Sequence, residues 1–239
     1  MADFNINGTL EIVQGTGFFR GDVNQWPEFQ ELSFSSNQVM PRVGWWPDFS
    51  YGCDVGGSQP NPFFVKSNGY YHDVSQHITG MDNVNLGPGI ATADIEGDGD
   101  LDLIISNQWG ASYLYVNQCQ DCSSNFLGLR LVNPVVPIKG RFQHREGLAD
   151  KTFPSKAAIG ATALLRKPDG TEVIAQVDGG SGHTGQRSSQ IHFGLGKHDG
   201  TTLEVEIRWL DQGGLLQIQE FKLSPGWHTI YLGNSEGHS

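Results

Sequence analysis

The sequence predicts an all-β protein, and three observations lead to that prediction. Turn-forming residues are abundant, since the 239 residues include 32 glycines and 11 prolines, as is typical of chains with many tight turns. Helical periodicity is almost absent. Short apolar runs that alternate with polar residues recur at intervals of about ten residues, as strands joined by turns do. The clearest runs are LDLIISN, SYLYVN, LGLRLV, GATALLRK, TEVIAQVD, QIHFGLG, LEVEIRWL, LQIQEFKL and HTIYLG.

From the N-terminus, the chain divides into three predicted parts. Residues 1–58 are rich in aromatic side chains and are expected to cover the edges of the sheets that follow. Residues 59–125 contain a short internal repeat, in which QPNPFFVK aligns with GASYLYVN, and residues 126–239 contain the most regular strands. Within this last part, KPDGTE and LDQGGLL each separate two apolar runs and are predicted to be hairpin turns. Residues 134–156 are charged and show no strand pattern, which predicts an irregular insertion.

The most unusual stretch is DIEGDGDLD, residues 94–102, where four aspartates and a glutamate crowd into nine positions. Carboxylates this close repel one another unless a cation lies among them. The alternating acidic positions and the turn glycine Gly99 follow the layout of a loop that binds a hard cation through oxygen. Calcium is therefore the predicted cofactor, and the alternative is a solvated acidic turn. The predicted ligands are Asp94, Glu96, Asp98, Asp100 (through its backbone carbonyl) and Asp102.

This loop differs from an EF-hand in one position. An EF-hand needs a glutamate at the twelfth place, where this chain has Ile105 inside an apolar run. The loop is therefore expected to precede a strand rather than to join two helices.

Charge and hydropathy narrow the class of partner. The formal net charge of −11 argues against nucleic acid, whose phosphates need cationic side chains. No apolar run approaches the roughly 20 residues that span a membrane. The opening MADFNINGTL lacks the basic start and apolar stretch of a signal peptide, so a cytoplasmic location stays open. Cys119 and Cys122 form a lone C-x-x-C, for which a local disulfide or two free thiols are expected.

Two stretches of the chain resemble known families. Residues 61–118, with FFVKSNGYYHDVSQ before the acidic loop and LYVNQ after it, resemble an FG-GAP/VCBS repeat. Such repeats usually form blades of β-propellers. Residues 159–214, with IGATALLRK, GGSG and IHFGLG, resemble the ASPIC/UnbV domain. The pairing is characteristic of cartilage acidic protein-like chains and of many secreted bacterial proteins, so it implies an extracellular or periplasmic location.

The resemblance also predicts the architecture. We expect incomplete propeller-like blades with a calcium loop, packed against a β-sandwich-like ASPIC/UnbV domain. The chain departs from the family patterns where His183 and Thr184 replace the usual aromatic and aliphatic residues after GSG. It also has one or two blades, whereas a propeller needs at least four. The chain is therefore expected to be a piece of a longer protein or a small self-sufficient descendant.

Candidate ligand-binding residues are aromatic, since aromatic side chains commonly line ligand cavities. Core packing is the alternative role, and the commoner one. The candidates are Trp26, Trp45, Trp46, Phe49 and Trp109.

Candidate acids and bases lie in three stretches, and each has a structural hydrogen-bonding role as its alternative. The sequence contains no zinc-protease, P-loop or serine-hydrolase motif. His192, in IHFGLG, is expected to be a structural hydrogen-bonding residue. The catalytic candidates are His72, Asp73, His77, His144, Glu146 and His183.

Three classes of function follow from these features. The first is a calcium-stabilised binding or adhesion module for a glycan, a protein or a hydrophobic small molecule. The second is a calcium-dependent enzyme of specialised metabolism, such as a cyclase or a related isomerase or lyase. In that enzyme, aromatic faces would stabilise a carbocation. The third is a passive structural domain of a larger secreted protein. We expect the first.

Overall fold

The structure, a computed structural model, describes residues 1–16, 60–81, 89–107, 111–118, 125–150, 152–167, 170–180 and 187–234. This described part is all-β, with fifteen strands and one 3-10 turn at Ser75–His77. None of its helices has the length and apolarity that a bilayer crossing requires. The strands are β1 Ile12–Val13, β2 Phe63–Ser67, β3 Tyr70–Asp73, β4 Gly89–Ala93, β5 Asp102–Ser106, β6 Tyr113–Tyr115, β7 Phe126–Pro134, β8 Phe142–Glu146, β9 Ser155–Ala157, β10 Thr162–Arg166, β11 Glu172–Gln176, β12 Ile191–Gly194, β13 Leu203–Leu210, β14 Leu216–Leu223 and β15 Gly226–Leu232.

Two small antiparallel sheets form the N-terminal half. Sheet A has the order β1-β2-β3 and sheet B the order β4-β5-β6. Their inner faces share one small core with the first residues of the chain, because Phe4 packs on Phe63 with ring centroids 5.2 Å apart. The other buried members of this core are Ala2, Met81, Leu101, Leu103 and Ile105.

Two larger sheets form the C-terminal half. Sheet C has the order β11-β10-β13-β14, and sheet D has the order β12-β7-β15-β8, with β9 paired to β7. Leu165 and Ile207 from sheet C and Leu129 and Ile230 from sheet D lie in one apolar core, so the two sheets pack face to face as a sandwich. The long central strands β7 and β15 pair in parallel, with Thr229 opposite Arg130.

Both predicted hairpins are confirmed. Strands β10 and β11 pair antiparallel up to Arg166 and Glu172, with Gly170 in the connection at a φ of +82°. Strands β13 and β14 pair up to Leu210 and Leu216. Turn chemistry was sufficient to locate both, because glycine reaches positive φ without steric penalty.

The prediction of an irregular insertion at residues 134–156 was wrong. Strand β8 lies inside it and pairs with β15, placing Phe142 opposite Leu232 and His144 opposite Ile230. Strand β8 is an edge strand, and its residues 143–146 are all exposed. An edge strand of this kind carries little apolar alternation, so periodicity could not find it.

The propeller part of the predicted architecture stays a prediction. In the described ranges sheets A and B have three strands each, whereas a propeller blade has four, and no sheet there closes on itself. All-β structure is confirmed.

Candidate functional site

The acidic loop, defined as residues 94–101, joins β4 to β5. These strands pair antiparallel, with Ala93 opposite Asp102 at the base of the loop. Gly97 and Gly99 adopt φ values of +81° and +103°, which side chains rarely tolerate. The loop therefore precedes a strand, as its sequence predicts.

Two buried aspartates hold the loop in shape. The carboxylate of Asp94 accepts hydrogen bonds from the backbone N–H groups of Gly97 at 2.6 Å and Gly99 at 2.9 Å. The carboxylate of Asp102 accepts from the N–H of Ile95 at 2.8 Å and of Asn117 at 3.0 Å. Because each carboxylate is charged and receives backbone donors, these bonds are stronger than ordinary amide bonds.

Of the remaining acidic side chains of the loop, Asp100 is buried, at 1% exposure, and the other two face solvent. Glu96 and Asp98 are exposed, and Asp98 accepts a long bond from the N–H of Asp100, at 3.3 Å. Desolvation raises the pKa of Glu96, and the charges of Asp102, Asp98 and Asp94 raise it further. The carboxylates are therefore close enough to repel one another, as the sequence suggests.

The donor set fits calcium in its chemistry, because carboxylate and carbonyl oxygens are the ligands that this ion prefers. The side chains are not already gathered. Among the described residues, no group of three or more His, Cys, Asp or Glu side chains is arranged to hold a metal ion. Glu96 and Asp98 would have to turn toward Asp94 to complete a site.

The acidic loop is seated on the C-terminal sandwich. The indole N–H of Trp227 donates to Asp94 Oδ2 at 2.7 Å, and this bond is buried. His192 Nε2 bonds the backbone carbonyl of Gly99 at 2.8 Å. A carbonyl only accepts, so Nε2 carries the proton. Strands β15 and β12 thus each contribute one polar contact to the loop.

Aromatic rings and one guanidinium surround these contacts. We call Phe126, Arg130, His192 and Trp227 the junction cluster. Phe126 stacks on His192 at 5.3 Å and meets Trp227 edge-on at 5.6 Å, while the Arg130 guanidinium lies 4.6 Å from the Trp227 ring. A Cβ on Gly99 would overlap the Phe126 ring. The loop and the sandwich are therefore in direct contact at Gly99.

Burial dominates the electrostatics of the junction cluster. It lowers the pKa of His192, while the Gly99 carbonyl and the Asp94 charge oppose that shift, so the ring is held neutral. Burial also lowers the pKa of Arg130, against the opposing charge of Asp94. Arginine stays charged in proteins, so Arg130 is a fixed cation beside the acidic loop.

The first group of catalytic candidates lies on β3 of sheet A and in the 3-10 turn that follows it. His72, Asp73 and His77 are all exposed. Asp73 Oδ1 accepts from the backbone N–H of Ser75 at 2.9 Å and of Phe63 at 3.3 Å. These bonds, with Ser75 first, lower the pKa of Asp73. Asp73 therefore has a clear structural role at the end of β3.

The second group lies on the edge of sheet D. His144 Nε2 and His228 Nδ1 are 2.9 Å apart, and His228 Nε2 bonds the Ser224 carbonyl at 2.8 Å. Since that carbonyl accepts, His228 carries its proton on Nε2, and His144 donates to Nδ1. Burial lowers the pKa of His144 most, the charge of His228 lowers that pKa further, and the charge of Glu146 raises it. Glu146 itself is exposed.

Several candidates lie outside the described residues. They are His183, the five aromatic ligand-binding candidates Trp26, Trp45, Trp46, Phe49 and Trp109, and the three cysteines Cys53, Cys119 and Cys122.

Comparison with known proteins supports one of the two resemblances. Residues 152–239 match the family model described as ASPIC and UnbV. The C-terminal part of the chain carries an ASPIC/UnbV domain. The match begins just before β9, so strands β7 and β8 precede it, although both belong to sheet D of the same sandwich. The chain matches no curated protein, and the FG-GAP/VCBS resemblance of residues 61–118 stays a prediction.

The residues that seat the acidic loop were not singled out from the sequence. Phe126, Arg130 and Trp227 looked like ordinary strand positions, and 133 residues separate Trp227 from its partner Asp94. The one available signal was His192 in IHFGLG, expected as a structural hydrogen-bonding residue. That expectation is consistent with its bond to Gly99.

Proposed function

We propose that the protein is a calcium-stabilised binding module whose acidic loop ties sheets A and B to the ASPIC/UnbV domain. The observation that carries this proposal is the buried bond from Trp227 to Asp94. It makes one residue of the predicted calcium loop a direct contact of the sandwich. An ion in the loop would therefore stabilise the junction between the two halves as well as the loop.

The bound ion would supply positive charge among carboxylates that otherwise repel, and the oxygens of the loop would coordinate it. Glu96 and Asp98 are suited to respond, because both are exposed and outside the buried network. Asp94 and Asp102 would keep their backbone donors and hold the loop in register. The resemblance to secreted proteins favours a location outside the cell or in the periplasm, where calcium sites of extracellular modules bind at about 10⁻⁴–10⁻³ M.

Binding is favoured over catalysis by the state of the candidate acids and bases. Asp73 accepts two backbone amides, and the His144–His228 pair is closed by the Ser224 carbonyl. Their polar atoms serve the fold, and they lie on two different sheets.

The test is the thermal stability of the full chain in calcium and in EDTA. At a calcium concentration about 100 times its Kd, binding adds about 2.7 kcal/mol. For a chain of this size, this gain corresponds to a melting temperature higher by about 5–10 °C. Asp98→Ala should abolish most of that increase and leave the stability in EDTA unchanged, because the bond that Asp98 accepts among the described residues is long, at 3.3 Å.

Asp199→Ala is the matched control. Asp199 is also exposed, and it accepts the backbone N–H of Thr201 two residues on, at 3.1 Å. The Asp199→Ala variant should keep the full increase in melting temperature with calcium. If Asp98→Ala keeps it as well, the acidic loop is not the calcium site.

A further inference from the structure

A cleft of about 350 Å³ lies beside the acidic loop, where the N-terminal turn, strand β4 and the sandwich meet. It opens between β11, an edge of sheet C, and β12, an edge of sheet D. Along such a side of a sandwich, a space can open between the two sheets. The volume falls within the range of about 300–1,000 Å³ that is usual for small-molecule sites.

The inner wall of this cleft is apolar. Leu101, Ile191 and Phe193 line it, and each is at most 9% exposed. Ile191 and Phe193 also belong to the core of the sandwich, which holds them in place. The wall can therefore take up an apolar group with little rearrangement.

The partly exposed lining carries positive charge, although the chain as a whole has a formal net charge of −11. Lys167 and Arg187 both line the cleft. Arg187 is paired with Asp178, yet its side chain stays 39% exposed. No described carboxylate lies within 4.0 Å of the Lys167 ammonium. Lys167 therefore has capacity for an anion.

Asp3 also lines the cleft and partly offsets this charge. Its carboxylate is 5% exposed and accepts from the backbone N–H groups of Gly8 at 2.8 Å and Asn7 at 3.1 Å. Asp3 is thus engaged in closing the N-terminal turn. The charge of Lys167 opposes the rise that desolvation causes in the pKa of Asp3, and Arg187 is paired with Asp178. Both cations are therefore partly compensated and keep capacity for a further anion.

We propose that this cleft binds a small organic anion, with its apolar body against Ile191 and Phe193 and its carboxylate facing Lys167 and Arg187. This inference rests on the proposed binding function and names its ligand class. A cleft of this size suits a small molecule rather than a protein surface.

The test compares two fluorescent probes with nearly the same aromatic body. 8-Anilinonaphthalene-1-sulfonate is anionic, and N-phenyl-1-naphthylamine is neutral. Titrated into the full chain, both should bind, the anion more tightly, and decanoate should displace the anion whereas decanol should do so poorly. Added salt should weaken binding of the anionic probe and leave binding of the neutral probe unchanged.

Lys167→Gln should weaken binding of the sulfonate by about tenfold or more, because it removes a hydrogen bond between two charged groups. It should leave binding of the neutral probe unchanged. Lys156→Gln is the control, since Lys156 is an exposed lysine on β9 in the other sheet.

A second variant adds negative charge without changing shape. Gln176 lines the cleft and donates to the Gly160 carbonyl at 3.1 Å from an exposed position. Gln176→Glu should weaken binding of the sulfonate about three- to fivefold, because this is the size of the repulsion between two like charges a few ångströms apart in water. Gln219→Glu on β14 loses an equivalent exposed bond, to the Glu220 carbonyl at 2.9 Å, and should have no effect.

Two outcomes overturn the proposal. If neither probe binds, the cleft is not a ligand site. If Lys167→Gln weakens both probes equally or neither, the cleft does not select anions. Titrations in calcium and in EDTA separate this proposal from the preceding one. If probe binding depends on Lys167 but calcium does not raise the melting temperature, the cleft proposal stands and the calcium proposal fails. If calcium raises the melting temperature but probe binding does not depend on Lys167, the calcium proposal stands and the cleft proposal fails.

Discussion

Replacing Gly99 by alanine tests whether the acidic loop is seated on the sandwich. Its φ of +103° exposes any side chain to a backbone penalty of about 1–2 kcal/mol. The new Cβ would also overlap the ring of Phe126, which is 3% exposed and stacked on His192. A ring held this way moves only with its neighbours, so overpacking adds about 1–3 kcal/mol. The free energy of unfolding should fall by about 2–5 kcal/mol.

Gly97→Ala separates the two causes. Gly97 lies in the same loop with a φ of +81°, but no atom of the described residues lies within 4 Å of the Cβ that alanine would add. In this variant the free energy of unfolding should fall only by the backbone penalty of about 1–2 kcal/mol. Urea denaturation followed by far-UV circular dichroism, compared at a common slope, measures both.

A comparison of the two variants tests whether the loop contacts Phe126. If Gly99→Ala and Gly97→Ala lose the same stability, the contact between the loop and Phe126 does not form. A double variant adds a check. Phe126→Leu removes the overlapping ring, so in combination with Gly99→Ala the losses should be less than additive. Additive losses would also contradict the close contact.

Two further predictions concern polar contacts. Trp227→Phe keeps an apolar ring but removes the donor to Asp94, and it should lower the free energy of unfolding by about 1.5–3 kcal/mol; an unchanged urea midpoint would show that this bond does not stabilise the fold. Because the pKa of His144 is lowered from 6.5, the unfolded chain binds more protons between that lowered pKa and 6.5, and stability should fall as the pH drops through this window. His144→Gln keeps a donor for His228 and should flatten the fall in melting temperature as the pH drops; a slope equal to that of the parent protein would remove His144 as the cause.

Local chemistry was enough to predict most of the strands and both tested hairpins. Alternating apolar residues specify a strand with one buried face, and the glycines at Gly170 and Gly214 reach the positive φ that their turns need. Strand β8 shows where this reasoning stops. Its residues 143–146 are all exposed, so the burial that produces alternation is missing.

The candidate site divides in the same way. The crowding of acidic residues in 94–102 was visible in the sequence, and the repulsion that it implies is present at Glu96. The partners of the loop were not visible. Neither the bond from Trp227 to Asp94 nor the cleft beside Lys167 leaves a mark in any local pattern, because each joins segments that are distant in the chain.

The sequence by itself determined most of the strands, the turns and a loop crowded with carboxylates for which it predicts calcium, because period, turn residues and charge density act over a few neighbouring residues. Only the tertiary structure decided what that loop touches. Gly99 illustrates both. Its turn requires positive φ, which the sequence indicates, whereas the Phe126 ring that excludes a Cβ lies in another sheet. Close packing between distant segments depends on how whole sheets are placed, and short-range patterns do not contain that information.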